Sequence, residues 1–308
     1  MTKAAARFAA IDLGSNSFHL IIAEKVAADR YRVQARKRQK VRLAEGLTDS
    51  GVLRQGAISR GVKCLTSFAA ELSDIPPQQI KCVATATLRK ASNQTAIVSA
   101  FEAALGVPIE VISGEQEARL IYQGATSAGQ FDSNSHTLVL DIGGASTEAV
   151  VGQGAAPILL NSLDMGCVVW QRRFFADGVI TQTRVNEAVT AAAALIEPHR
   201  QAYQAFNYQQ VCGASGAFRA LHDIIQQRQP QAKSSSYSAQ WVADIIRETI
   251  ALGHTRKLHQ LGLRRDRQPV FMGGVTILLG LIQQLRLEQL QLAQGALREG
   301  LLEQLLRA

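Results

Sequence analysis

A segment that occurs twice constrains this chain more than any other feature. Ala10-Ile11-Asp12-Leu13-Gly14-Ser15-Asn16-Ser17-Phe18-His19-Leu20-Ile21-Ile22 is matched 129 residues later by Leu140-Asp141-Ile142-Gly143-Gly144-Ala145-Ser146-Thr147-Glu148-Ala149-Val150-Val151. Each copy reads as an apolar strand, an aspartate, a turn of small residues and a second strand with period-two alternation. Two copies at domain-sized separation imply duplicated α/β halves rather than a short-period solenoid.

The sequence between the copies alternates in the same manner. Residues 31–42 continue as a third strand, and Gly56 to Leu72 carries Ile58, Val62, Leu65, Phe68 and Leu72 at helical spacing. Asp74-Ile75-Pro76-Pro77 stops that helix. Ile80 to Thr85 and Val107 to Ile112 read as strands, Asn93 as the cap of a helix ending at Gly106, and Ser113 as the start of another helix. Thr126 to Ser135 is polar and reads as the join. Beyond it, helices are expected over Thr183 to Ile196 and Ser238 to Leu258, and strands over Gln210 to Cys212 and Val270 to Met272, with Ser234-Ser235-Ser236 in a connection. The domains are placed at 1–125 and 126–308, with the last helix available to pack back on the first. Mixed sheets covered by helices follow, and the interdomain cleft is the expected ligand site.

Composition narrows the chemistry. With 47% hydrophobic residues over 308 positions the chain can build a sizeable core. No apolar run approaches the ~20 residues of a membrane span. Val275 to Ile282 is the longest and contains Gly280. The start lacks a separate leader pattern. Cys64, Cys82, Cys167 and Cys212 are scattered among apolar neighbours and read as buried reduced thiols, hence a cytoplasmic setting. A balance of 33 basic to 25 acidic residues, net +8, favours an anionic partner. Part of that excess lies in residues 30–42, either a solvated strand face or an anion groove. Neither a helix-turn-helix nor a basic-aromatic platform supports nucleic-acid binding.

Gly14-Ser15-Asn16-Ser17 and Gly143-Gly144-Ala145-Ser146-Thr147 are candidate phosphate cradles. Small residues admit an oxyanion to backbone N–H groups, and hydroxyl and amide side chains add donors. Either turn alone could be an ordinary hairpin; two matched turns after strand-terminal aspartates favour the cradle. Val211-Cys212-Gly213-Ala214-Ser215-Gly216 is strand–turn–helix and suits an anion or nucleotide through Gly213 and Ser215. The glycines of Val270 to Val275 suit close packing of strand on helix. Asp141 with Glu148 is a candidate Mg²⁺ pair, and Asp12 is a metal ligand or a turn-fixing acceptor. Ser113 and Gln116 fit a capping box, which accounts for Glu115 and Glu117 as dipole partners; the sharper reading gives one of them a water to orient. Arg89 ends Thr85-Ala86-Thr87-Leu88-Arg89 and can fork a phosphate. His19 reads as a half-exposed strand residue.

Taken in order, these motifs together with Gly295-Ala296-Leu297-Arg298-Glu299-Gly300 resemble the exopolyphosphatase/guanosine pentaphosphate phosphatase (Ppx/GppA) family over nearly the whole chain. The resemblance implies a duplicated actin-like fold, the ribonuclease H-like architecture of sugar kinases and heat-shock ATPases, and hydrolysis of a terminal phosphoanhydride. By motif position Glu117 is similar to the family's water-activating glutamate, Asp141 and Glu148 to its Mg²⁺-associated carboxylates, the two turns to its phosphate loops, and Arg89 to a phosphate-chain ligand. Val83 to Arg89 and Asp141 to Glu148 look most like the guanosine pentaphosphatase branch. The implied substrate is guanosine pentaphosphate (pppGpp), with inorganic polyphosphate as the alternative. The rival readings are a kinase on the same scaffold and a non-catalytic nucleotide or polyphosphate sensor. A homodimer is compatible.

Overall fold

The computed structural model describes residues 6–27, 30–128, 131–132, 134–231 and 236–307. The beginning of the chain up to Ala5, Gly129, Gln130 and Ser133 of the expected join, and Ser234 and Ser235 lie outside them. The chain forms two compact units, Met1–Ala128 with Gly295–Ala308, and Gly129–Gln294.

In the first unit β1 (Arg7–Leu13), β2 (Ser17–Ala27), β3 (Arg30–Lys40), β4 (Ile80–Ala84) and β5 (Glu110–Val111) form one mixed sheet in the order β3-β2-β1-β4-β5. β1, β2 and β3 run as an antiparallel meander, while β4 and β5 are parallel to β1. Alternation along β1 sends Ala9, Ile11 and Leu13 into a cluster with Phe18, Leu20, Leu65, Phe68, Ile97 and Phe101. Phe18 and Phe101 meet edge to face at 5.8 Å. The helices Gln55–Glu71 and Gln94–Leu105 supply that cluster. Helix Leu297–Arg307 packs on β1, β2 and β4, and Gly114–Ala128 packs on that helix.

The second unit repeats the topology. β6 (His136–Ile142), β7 (Thr147–Gln153), β8 (Ala156–Leu163), β9 (Tyr208–Ala214), β10 (Ser236–Ser238) and β11 (Gln289–Leu292) give the order β10-β11-β9-β6-β7-β8. Again three strands form a meander and the next two run parallel to the first, with β10 added at the edge. This duplicated arrangement is the actin-like α/β fold, two mixed sheets each dressed by helices.

Several elements depart from the sequence reading. Val270–Met272 is not a strand: a 3-10 turn at Gln268–Val270 leads into the helix Phe271–Leu285. Its glycines serve close approach of helix to helix, since a Cβ on Gly273 would collide with the Cys167 carbonyl. The segment Gln268–Leu285 is long and apolar enough to span a bilayer, but two-thirds of it is buried inside the unit, as a core helix requires. Helix Ala239–Leu252 stops at Gly253 (φ 73°), and a 3-10 segment, Thr255–Leu261, follows. Only Glu110 and Val111 of the expected 107–112 strand pair. Asn93 precedes its helix without capping it; its amide instead brackets Leu53, accepting from N–H at 2.9 Å and donating to C=O at 3.1 Å.

Candidate active site

Strand alternation that buries Ile11 and Leu13 turns Ala10 and Asp12 to the opposite face. Asp12 pairs with His19 on β2, and His19 with Arg38 on β3, so the three side chains form one row across the sheet. Two residues along, Arg36 reaches the buried Glu299 at 2.7 Å, which identifies this as the face covered by helix Leu297–Arg307. The turn Gly14–Asn16 sits at the end of the row. The segment after β3 fastens it: Arg42 N–H donates to Asn16 C=O and Ala44 N–H to Ser15 C=O, both at 2.9 Å. Arg42 adopts φ 56°, a conformation costly without glycine. Arg60 stabilises it by donating to the carbonyls of Val41 (2.8 Å) and Arg42 (3.1 Å). Ser15 and Ser17 are buried, and Arg38 Nε lies 3.4 Å from Ser17 Oγ.

Helix Gly114–Ala128 belongs to the layer on the same face of this unit. Its capping box is formed: Ser113 N–H donates to Gln116 Oε1 (2.8 Å) and Gln116 N–H to Ser113 Oγ (3.1 Å). Helical rotation then separates the two glutamates. Glu115 is exposed and pairs with Arg119 at 2.8 Å, whereas Glu117 is 6% exposed and meets Arg89 Nη1 at 3.1 Å. Arg89 sits on the short helix Ala86–Lys90 after β4, and its Nη1 also donates to Ile112 C=O at 2.8 Å. Two residues separated by 28 positions are thereby fixed in one place.

The second unit carries the equivalent row. Asp141 faces Glu148 across β6 and β7, and Glu148 faces Ser162 on β8, whose hydroxyl donates to Glu148 Oε1 at 2.8 Å. The two turns share their backbone path: a Cβ would stand 2.9 Å from Ser17 O at Gly14 and 3.0 Å from Ser146 O at Gly143. The carbonyls of Gly143 and Gly144 accept from Cys167 and Val168 N–H at 2.9 and 3.0 Å, anchoring the second turn to helix Cys167–Phe174. Ala145 and Ser146 are buried, and the Thr147 hydroxyl donates to Met165 C=O at 2.7 Å. Ser215, at φ 75°, bonds Ile142 C=O at 2.8 Å, so the Gly213–Ser215 turn adjoins the second cradle. Asp141 and Glu148 are both nearly inaccessible, 8% and 1% exposed. Among the described residues no cluster of three or more His, Cys, Asp or Glu could hold a metal. Two opposed carboxylates fit Mg²⁺, which takes one or two from protein and completes its shell with water and phosphate oxygens.

The sequence reading did not single out Ser162 or Arg38. Their roles depend on strand register, which no local motif encodes; for Arg38 the alternating basic run 30–42 was the available signal.

A profile of the Ppx/GppA phosphatase family matches residues 5–308. The chain belongs to that family. It is 42% identical over 301 residues to proteins of Aeromonas hydrophila and Aeromonas salmonicida, each named guanosine-5'-triphosphate,3'-diphosphate pyrophosphatase. The match covers 97% of this chain but 59% of each relative, so the chain spans about three-fifths of their length. Among solved structures, an exopolyphosphatase of Cytophaga hutchinsonii superposes with a TM-score of 0.87 at 23% identity over 97% of both chains. The Aquifex aeolicus PPX-GPPA enzyme gives 0.78 at 21% identity over 97% of this chain and 99% of that one. These likenesses carry the Ppx/GppA fold across the length of the chain.

Proposed function

We propose that this Ppx/GppA chain hydrolyses the terminal phosphoanhydride of pppGpp, with linear polyphosphate as the second substrate. Glu117 carries the proposal: it is a nearly buried carboxylate at the start of a helix, held by an arginine whose guanidinium can also meet a phosphate oxygen. In this reading Arg89 binds the terminal phosphoryl group and Glu117 aligns a water for in-line attack on phosphorus. The proton leaves the water toward the Glu117 carboxylate as the P–O bond to the leaving phosphate breaks. Phosphoryl transfer rests on positioning and charge neutralisation, so no covalent intermediate is needed. The turn Gly14–Ser17 and the turn from Gly143 through Ala145 to Ser146 offer donors to phosphate oxygens. The Thr147 hydroxyl, already donated to Met165, supports its turn, and Gly213 with Ser215 brackets the second cradle.

Asp141 and Glu148 would hold Mg²⁺, which when bound neutralises charge on the phosphate oxygens. Ser162 keeps Glu148 in place through its hydroxyl. Asp12, opposite His19, fixes the first turn's approach. The preference for pppGpp rests on the relatives' names and on the Val83 to Arg89 motif; the exopolyphosphatase relative and the basic β3 favour polyphosphate as the second reading.

The test compares phosphate released from pppGpp, short polyphosphate and long polyphosphate, with and without Mg²⁺. Glu117→Gln should lower turnover at least 10²-fold, the lower end of a general-base contribution, while the melting temperature stays within a few degrees. Near-normal turnover of that variant would reject the role.

A further inference from the structure

Most of the basic excess on β3 has an ordinary explanation. Arg32 pairs with Glu24 at 2.8 Å, Lys37 with Glu71 at 3.1 Å, and Arg36 with Glu299. The two exposed pairs keep an edge strand from adding another strand and contribute little else, while Arg36 ties β3 to the buried Glu299. Arg38 differs. Its Nε reaches the hydroxyl of Ser17, the residue that closes the first phosphate turn, and it shares a row with His19 and Asp12. Lys40 lies directly opposite Ser17 in the ladder, and Arg42 is tied by its backbone to Asn16. Arg38 and Lys40 thus occupy alternate positions at the end of β3 beside the turn, and Arg42 follows the strand, its side chain directed to Glu45 at 3.8 Å. Arg38 itself is exposed while the serine it contacts is buried, so its guanidinium stands where the turn opens.

We propose that Arg38 is a specificity-determining residue that binds a phosphoryl group adjacent to the terminal one, selecting substrates with at least three phosphates in a chain. This rests on the phosphohydrolase reading and deepens it. The geometry supplies the argument. A cradle built from Gly14–Ser17 backbone donors accommodates one phosphoryl group, and consecutive phosphorus atoms in an anhydride chain lie close enough for the neighbouring strand's arginine to meet the next. An arginine fork suits two oxygens of such a group. In the second unit the equivalent position is Ser162, so the arginine belongs to the first unit's row alone. His19, between Asp12 and Arg38, adds an imidazole to the row.

Equilibrium binding to the Glu117→Gln protein, in which turnover is suppressed, separates this idea from the reading beneath it. Tripolyphosphate and orthophosphate are titrated calorimetrically, with and without Arg38→Gln. We expect tripolyphosphate to bind about tenfold to 100-fold more weakly, the range for a charge-assisted hydrogen bond, with orthophosphate affinity within about twofold. In the otherwise unaltered chain, Arg38→Gln should raise KM for tripolyphosphate by a similar factor and leave kcat within about threefold. Arg38→Lys, which keeps the charge but not the fork, should restore part of the affinity. Equal loss for both ligands, or unchanged tripolyphosphate binding, overturns the assignment while leaving the hydrolytic reading intact. Failure of Arg38→Lys to restore affinity, with a falling melting temperature, assigns Arg38 a structural role and also overturns it. Absence of any tripolyphosphate binding and of phosphate release by the unaltered chain defeats both.

Discussion

Replacing Gly124 by alanine tests whether space or helix propensity governs the helix that carries Glu117. Three glycines interlock there. A Cβ on Gly124 would run into the Ala296 carbonyl oxygen and Gly300 N, one on Gly295 into Gly124 O, and one on Gly300 into Leu120 O. The obstructions are backbone apart from the Ala128 Cβ, 2.8 Å from the Gly295 position, and none can swing aside. The alanine gains about 1 kcal/mol of intrinsic helix stability. Against this, overpacking a well-filled contact costs about 1–3 kcal/mol, and a backbone obstruction belongs at the upper end. The expected net loss is about 2 kcal/mol, or roughly 4–8 °C for a unit of this size. Gly56→Ala makes the same chemical change on helix Gln55–Glu71, where the site is exposed and the nearest atom is Arg60 Nη1 at 3.9 Å. That variant should gain up to about 1 kcal/mol. Urea denaturation of both, followed by far-ultraviolet circular dichroism, gives the two signs. A neutral or stabilising Gly124→Ala refutes the interlock. If it is destabilising, loss of phosphate release at temperatures where the variant remains folded shows that the interlock also places Glu117.

Two further outcomes follow from the structure. Burial pushes the Cys64 thiol up to about 12 and Cys212 to about 11, the latter partly countered by its bond from Gln291, and raises Cys82 well above its usual value. The native protein should therefore give almost no reaction with Ellman's reagent at pH 8 and four thiols after denaturation. Because unfolded thiols ionise first, stability should fall as pH rises from about 9 toward 11, by up to ~1.4 kcal/mol per unit per thiol; a flat profile there contradicts the burial. Glu148→Gln keeps an acceptor for Ser162 and removes one charge from the proposed Mg²⁺ pair. The Mg²⁺ midpoint of phosphate release should rise at least tenfold; an unchanged midpoint removes Glu148 from the metal site.

The repeated hairpins were legible because two local signals coincide: period-two apolar residues and turns too small to be anything but tight. The capping box at Ser113 was legible for the same reason, as both partners lie within one turn. What sequence could not decide was orientation. Glu115 and Glu117 share a helical first turn, and only the packing of helix Gly114–Ala128 shows which one is enclosed with Arg89. Val270-Phe271-Met272, apolar and followed by two glycines, has the composition of a buried strand, yet the fifteen residues of Phe271–Leu285 fold as one helix wedged between others. Arg38 and Ser162 depend on register. β2 and β3 shift their pairing between Ile22 and Ala23, a β-bulge that no pattern count in residues 30–42 anticipates.

Duplication makes the electrostatic difference between the units interpretable. The same fold position holds Asp12, His19 and Arg38 in one unit and Asp141, Glu148 and Ser162 in the other. The aspartate is common to both copies and stands one residue before the strand ends. Divergence is confined to the second and third strands. In the first unit the changes leave one carboxylate, Asp12, in a row with an imidazole and a guanidinium. In the second they place two carboxylates on adjacent strands, and like charges directly opposite are destabilising unless a cation or a donor lies between them. Ser162 supplies one donor to Glu148. The two hairpins thus share a backbone plan and differ in charge, one row carrying two carboxylates and the other a single carboxylate with an imidazole and a guanidinium. If the rows act as proposed, His19→Glu should weaken tripolyphosphate binding in calorimetry and Glu148→His should raise the Mg²⁺ midpoint of phosphate release, with neither variant gaining the other row's property; a gain would show that the middle residue alone sets each row's preference, without its third strand.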